Sequence, residues 1–597
     1  MSRSTLRRRA RALAALTTVA GLGLAVTAVT SGAAQSVVPG GDCTAAYPVD
    51  ELVDGAPVTG LTVDHGTTPE AFSGELIGVL DNGIAPGLDM IMVRLTSPEI
   101  DRVGGIWQGM SGSPVYAADG RLIGAVAYGL AAGASPVAGV TPFADMDDHL
   151  GTPATSVPVS RSAATAIARS SDVTSAQARE GFTQLPMPLG VSGVSSRRLS
   201  AALAQADDHA YLSAASYLLG RASGAAAPGP ETIVAGGNIA ASLSYGDIAM
   251  AGVGTATSVC DGRVVGFGHP LGFFGDTTES MHPADALYVQ EDLFAPFKVA
   301  NLGDPVGTIT DDRMTGITGT FGPLPDVTTV TSSVTFGDRT RTGVSKVSVR
   351  SADALANTTF YEIIANHDRV VDGLSKGSES ISWTIQGTDV DGSPFALSFT
   401  DRYASSYDLT ADVGFDLGDI VYALGQIDGV SIDSINADSQ FVDDSSTWQL
   451  KSLQQYRAGG WVAISRSEPA VAVAGHRLIA RALLVSGDDT VTVPVSFKVP
   501  DRAKGLTPIL SMVGGNDIYS GGDLSSISKA RRYLRNLVRN DELIADFGTS
   551  GGFYGGGYSG GTSAIEGRGR GGFDKSKVLG PLDKVVGNAV RVKVIVR

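Results

Sequence analysis

The sequence predicts a mainly β protein, with small antiparallel barrels in its first part and a β-sandwich-like region with a few helices toward its C-terminus. Three observations point there. Short apolar-alternating runs recur between turns, as in GELIGVL from Gly74, DMIMVRL from Asp89 and GRLIGAVAYG from Gly120, and alternation with period two marks half-buried strands. Glycine is abundant, at 76 of 597 residues, which favours tight turns over long helices. Helical spacing is confined to a few stretches: Ser196 to Asp208, Ala352 to Val371, around Leu417 to Leu424, and the basic amphipathic run Leu524 to Phe547.

In chain order, residues 1–34 read as a signal peptide. Arg3, Arg7, Arg8, Arg9 and Arg11 form a basic n-region, an apolar stretch runs from Leu13 to Val29, and Gly32-Ala33-Ala34 supplies small residues for cleavage. Losing those five arginines moves the net charge from −16 to −21. A surface this acidic repels nucleic acid and anionic lipid. No later segment is apolar enough to span a membrane, so the expectation is a secreted protein, extracellular or associated with the cell wall. Cys43 and Cys260 are the only cysteines, and in that compartment they are expected to form one disulfide.

Residues 35–57 follow as a leader, and residues 58–150 as a barrel half that bears a candidate serine. Residues 151–237 read as a linker with helices, in which the Ala/Gly/Pro run Ala222 to Pro230 is the connecting stretch. Residues 238–350 form a second barrel half, with a helical or mixed stretch at Ala284 to Val299 and a closing run at Val306 to Gly322. Residues 351–500 read as a helix and then a β-rich accessory domain. Residues 501–597 hold a helix, a glycine-rich flexible segment at Gly551 to Gly572, and a clean alternation, AVRVKVIVR, expected to be an edge strand.

The chemistry concentrates in GGIWQGMSGSPVYAADGRLIGAVAYG, from Gly104 to Gly129. Ser111 stands between glycines on a tight turn just before Pro114. A nucleophilic serine needs exposure at such a turn, backbone donors for the developing oxyanion, and a base. Gly109 and Ser111 can turn their N–H groups to one point if Met110 makes the turn, and Gly112 lets the chain leave without a clash. Ser113 is a rival two residues on. Among seven histidines, His269 stands out: it ends the apolar strand GRVVGFG, in GFGHPLG, where it can point into a cleft, with His65 in reserve. No metal-ligand cluster and no phosphate loop is found, so no cofactor is expected.

These two motifs carry a resemblance. GGIWQGMSGSPVY with GRLIGAVAYG, VVGFGHPLG and VGTITDDRMTGITGTFG resemble elements of the serine peptidases typified by the stage IV sporulation protein B, over residues 58–142 and 238–322. The resemblance implies a chymotrypsin-like double β-barrel that cleaves proteins with a serine and a histidine, here at Ser111 and His269. The blocks stand in permuted order, since the histidine block precedes the serine block in the typical member, and no PDZ module is evident. A triad depends on geometry and not on chain order. Where the family's aspartate would fall, this chain has Thr96 and Ser97, with Glu99 and Asp101 nearby. Asp312, or its neighbour Asp311, is the other candidate acid, and a dyad without an acid is the third option.

Ala127-Tyr128-Gly129 is expected to form an edge strand for the substrate backbone, and Ala131 to Ser135 to line the specificity pocket. No charge occurs there, so a small or apolar residue is expected before the scissile bond. The expected function is a secreted serine endopeptidase acting on protein or peptide substrates. The alternative is a catalytically inactive, peptidase-like binding or surface protein. Oligomeric state is left open.

Overall fold

The computed structural model describes residues 43–146, 156–185, 189–204, 209–212, 216–218, 220–221, 227–292, 295–465, 467–518, 521–549 and 573–597. The signal-peptide assignment and the glycine-rich segment 551–572 lie outside the described residues, as does most of Ala222 to Pro230.

Two closed six-stranded barrels position everything that follows. The first is built from β1 (Pro57–Thr62), β2 (Glu70–Ala85), β3 (Leu88–Thr96), β4 (Pro114–Tyr116), β5 (Leu122–Leu130) and β6 (Val137–Pro142). Its order is β4-β1-β2-β3-β6-β5, closed by the β4–β5 pair. Local chemistry sets the turns. Asn82 takes a positive φ, and its side chain accepts from Gly87 N at the β2–β3 hairpin. At the Asp119-Gly120 turn Asp119 accepts from Arg121 N, and Gly120 sits at φ +85°, where glycine has no Cβ penalty. Between β3 and β4 a short helix, α1 (Pro98–Val103), is capped by the Ser97 hydroxyl and ends at Gly104 with φ +80°. It delivers the chain into the Ser111 turn.

Short strands follow: β7 (Ser156–Val157), β8 (Phe182–Gln184), β9 (Leu189–Ser192), β10 (Ser216–Leu218) and β11 (Gly220–Arg221). The second barrel comprises β12 (Asn238–Gly246), β13 (Ala249–Cys260), β14 (Arg263–Gly266), β15 (Gly275–Gln290), β17 (Gly307–Arg313) and β18 (Gly316–Phe321), with β16 (Phe297–Leu302) hairpinned onto β15. Its order is β13-β14-β18-β17-β15-β12, closed by β12–β13. The stretch Ala284 to Val299, expected to be helical or mixed, is instead the β15–β16 hairpin, paired from Ala284↔Leu302 to Gln290↔Phe297. A bulge between Ala286 and Tyr288 breaks the period-two pattern there, which hid the strand in the sequence.

The second barrel's sheet continues through β12 into β20 (Arg339–Val347), then β19 (Thr328–Phe336), β23 (Ser431–Val442), β21 (Gly377–Thr388) and β22 (Pro394–Ser405). Helices Ala352–Val371 and Thr410–Gly425 share one core with this sheet, centred on Phe360, Trp383, Ile385, Val421 and Ile435. Residues 377–442 are therefore a sheet-and-helix layer. The two-sheet arrangement expected of the accessory region lies later, where a sheet of Trp448–Arg457, Gly460–Ala463, Arg477–Ser486, Asp489–Lys498 and Val586–Gly587 shares a core with one of Ala470–Ala472, Ile509–Gly514, Leu543–Gly548, Asp574–Leu579 and Ala589–Val596, through Leu453, Leu484, Phe497, Leu510 and Phe547. Two expectations need correcting here. The helix read over Leu524 to Phe547 ends at Asn536, and Leu543–Gly548 is a buried strand with partners on both sides. The last strand, Ala589–Val596, is not an edge but sits between Ala470–Ala472 and Ile509–Gly514. Cys43 and Cys260 are bonded, with Cα atoms 4.9 Å apart, tying the segment ahead of the first barrel to the end of β13.

Candidate active site

Ser111 and His269 meet where the barrels touch. The Ser111 turn takes positive φ at Gly109 (+93°) and Gly112 (+96°). Met110 N donates to Trp107 O, Ser113 N to Met110 O, and Gly112 N to Val126 O on β5. The second barrel grips the turn from the other side: Thr255 N donates to Ser111 O, Thr255 Oγ1 to Gly109 O, and Thr257 Oγ1 to Gly112 O. For the N–H groups of Gly109 and Ser111 no acceptor is found among the described residues. They are the two donors the sequence singled out for an oxyanion. Ser113, the rival, donates to Thr62 Oγ1 at 2.9 Å and is committed to the barrel interior.

His269 leaves β14 through Phe267 and Gly268, both at positive φ, and Gly268 O accepts from Thr141 Oγ1 at 2.6 Å. A Cβ on Gly268 would lie 3.0 Å from the Ala127 side chain and 3.1 Å from that of Ala125. That close approach brings the imidazole over β5. Its Nε2 lies 2.9 Å from Ser111 Oγ across a sequence separation of 158 residues. Its Nδ1 lies 2.8 Å from Pro270 O and 3.0 Å from Gln184 Nε2, which also donates to Pro270 O at 3.1 Å. A proton on Nδ1, donated to the Pro270 carbonyl, leaves Nε2 free to accept from the serine hydroxyl. Both side chains are fully buried. Burial pushes the imidazole pKa down to about 4 against the opposing pull of the Pro270 carbonyl.

Asp312 is not against the ring. Its carboxylate accepts from Leu271 N at 2.7 Å, Gly272 N at 2.8 Å and Phe274 N at 3.1 Å, which holds the loop directly after His269-Pro270. The expected Asp312–His269 contact is thus replaced by backbone bonds: three loop N–H groups take up the carboxylate. Burial raises its pKa while those bonds lower it. Behind it, Glu279 is fully buried and raised well above the carboxylate range by desolvation and by Asp312. The other acid candidates are elsewhere. Asp101 is exposed on α1, Glu99 pairs with Arg102, and Asp311 pairs with Arg313. His65 is exposed on the loop after β1.

Ala127, Tyr128 and Gly129 are not an open edge either. β6 flanks Tyr128 and Gly129 on one side, and β8 pairs Tyr128↔Gln184 and Gly129↔Thr183 on the other. In the predicted pocket segment, Ser135 is buried and its carbonyl accepts from Ile106 N, just ahead of the serine turn. Sequence reasoning missed Gln184, the threonines Thr141, Thr255 and Thr257, and Lys298. Lys298 Nζ donates to Asn238 Oδ1 at 2.7 Å, and its side chain packs where a Gly109 Cβ would fall. Desolvation lowers its pKa to about 7. None of these lies in a motif; each depends on strand register.

No curated protein and no solved structure matches the chain. Residues 44–142, which contain all of the first barrel and its Ser111 turn, match the family model described as SpoIVB peptidase S55, so this region of the chain is similar to that peptidase family.

Proposed function

We propose that the protein is a serine endopeptidase, secreted and acting on protein or peptide substrates. Ser111 Oγ attacks the scissile carbonyl, His269 Nε2 takes its proton, and the Gly109 and Ser111 N–H groups receive the oxyanion. The observation that carries this reading is the 2.9 Å contact between Ser111 Oγ and His269 Nε2, made by residues from two barrels. Pro270 O supports it by orienting the ring from Nδ1, the place an acid takes in a triad. Secretion is supported by the basic, then apolar N-terminus and by the Cys43–Cys260 bond, which suits an oxidising compartment.

A serine-directed fluorophosphonate tests the reading. It should label the wild-type chain at Ser111, and Ser111→Ala should lose the label and at least about 10³-fold in peptidase rate. Failure to label the wild type even on long exposure and after the site is opened by substitution, or equal labelling of Ser111→Ala, would refute it and favour the second reading, an inactive binding protein. That reading has its own support, since no carboxylate reaches His269 among the described residues and both side chains are sealed from solvent.

The base must be neutral to act. With its pKa held near 4, His269 should stay competent as pH falls through the ordinary imidazole range and lose function only as pH approaches 4. Labelling rates measured from about pH 8 to about pH 3.5 check this. An acidic limb at the ordinary value of about 6.5 would mean that water reaches the ring in the working enzyme.

A further inference from the structure

We propose that the chain's own Thr183-Gln184-Leu185 holds the place of the acyl side of a substrate, and that Leu185 marks what the site selects. The substrate class is then an extended peptide with a leucine-sized aliphatic residue directly before the scissile bond. This rests on the peptidase reading above.

Four observations carry it. First, β8 is antiparallel to the stretch of β5 that the sequence marks for substrate pairing, with Ala131 N donating to Gly181 O and Leu185 N to Ala127 O at its two ends. An extended peptide adding a strand to β5 would make the same main-chain bonds. Second, the segment runs past the imidazole: Gln184 Nε2 lies 3.0 Å from His269 Nδ1. Third, Leu185 is buried among the apolar residues that lead into the serine turn, in one cluster with Ile106, Trp107 and Met110. Its Cδ2 lies 2.9 Å from where a Cβ on Gly129 would stand, so Leu185 packs directly on the bare backbone of that glycine. Fourth, the occupant is a slight one. β8 has three residues, and its outer neighbour β7 has two. A strand held by so few bonds can give way to a competing peptide, whereas the barrel strands beneath it cannot.

The occupant also accounts for the full burial of Ser111 and His269, because an added strand covers the β5 side of the site. Being part of the chain, it competes at an effective concentration far above that of a dilute peptide. Free peptide is therefore cleaved slowly until the strand is displaced.

Leu185→Asp tests this in the full chain, since a carboxylate in that apolar pocket loses its solvation. Fluorophosphonate should label Ser111 of this variant at least about tenfold faster than the wild type. Leu185→Ser, a milder loss of apolar contact, should fall between the two and guards against misfolding of the first variant, with thermal melting followed for all three. The unblocked variants should then cleave peptides with leucine before the scissile bond at least about tenfold better, in kcat/KM, than peptides with lysine or glutamate there. Equal labelling rates in all three chains, or a preference for the charged residues, would overturn the proposal while the peptidase reading stands. Absence of label from every chain would sink both.

Discussion

Gly112→Ala is expected to slow reaction at Ser111 by about 10²-fold and to destabilise the protein by about 3 kcal/mol. Gly112 sits at φ +96°, where an L residue is strained, and an added Cβ would lie 1.8 Å from Thr255 O and 2.6 Å from Phe267 N. Both are backbone atoms of the second barrel, so no side-chain rotation relieves the clash. The methyl group forces the barrels apart at the place where Thr255 N and Thr257 Oγ1 hold the serine turn. Displacement of about 1 Å is enough to cost on the order of 10²-fold in rate when a nucleophile and its base must align. Gly120→Ala is the control. It has a similar positive φ, of +85°, but no atom of the described residues lies within 4 Å of the added Cβ. It should cost about 1 kcal/mol of backbone strain and leave labelling of Ser111 unchanged. Equal melting temperatures for the two variants would overturn this account of the barrel junction.

The same junction shows what the sequence could and could not convey. The meeting of Ser111 and His269 was legible because each stands in a glycine-rich run whose composition reflects backbone needs: positive φ and close approach at Gly109, Gly112 and Gly268. The barrels were legible because half-buried strands alternate. The β15–β16 hairpin was not, because the bulge after Ala286 shifts the pattern by one residue. The final strand reads as an edge from its alternation, but AVRVKVIVR carries no mark of having neighbours on both sides. β8 is three residues long, too short for any period to register, yet its Gln184 touches His269 and the residue after it, Leu185, shares a core cluster with Ile106, Trp107 and Met110 of the serine turn. The role of Asp312 was hidden for a different reason. Spacing can bring a carboxylate back toward a histidine loop, but it cannot say whether the carboxylate will meet the ring or the loop's own N–H groups.

That distinction can be measured, because Asp312→Asn has different consequences in the two cases. A triad acid orients the ring, so its amide variant keeps the fold and loses about 10⁴-fold in kcat through the wrong tautomer. Here the carboxylate is a positioning group that accepts from Leu271, Gly272 and Phe274. Asparagine keeps one acceptor oxygen and turns an NH₂ group toward N–H donors. Bonds to a charged acceptor contribute about 1.5–3 kcal/mol each, less the cost of burying the charge, so a net loss of about 2–3 kcal/mol in stability is expected. Removing the charge also relieves part of the upward push on the pKa of the buried Glu279 carboxyl, which comes first from desolvation and second from Asp312. That partial relief sets the upper bound of the loss. The loop 271–274 then loosens and His269 loses its fixed approach to Ser111, so labelling slows in step with the fall in melting temperature. The acidic limb of the pH profile should not move, because Pro270 O, and not Asp312, faces Nδ1. An unchanged melting temperature together with a displaced acidic limb would show instead that Asp312 reaches the ring during turnover.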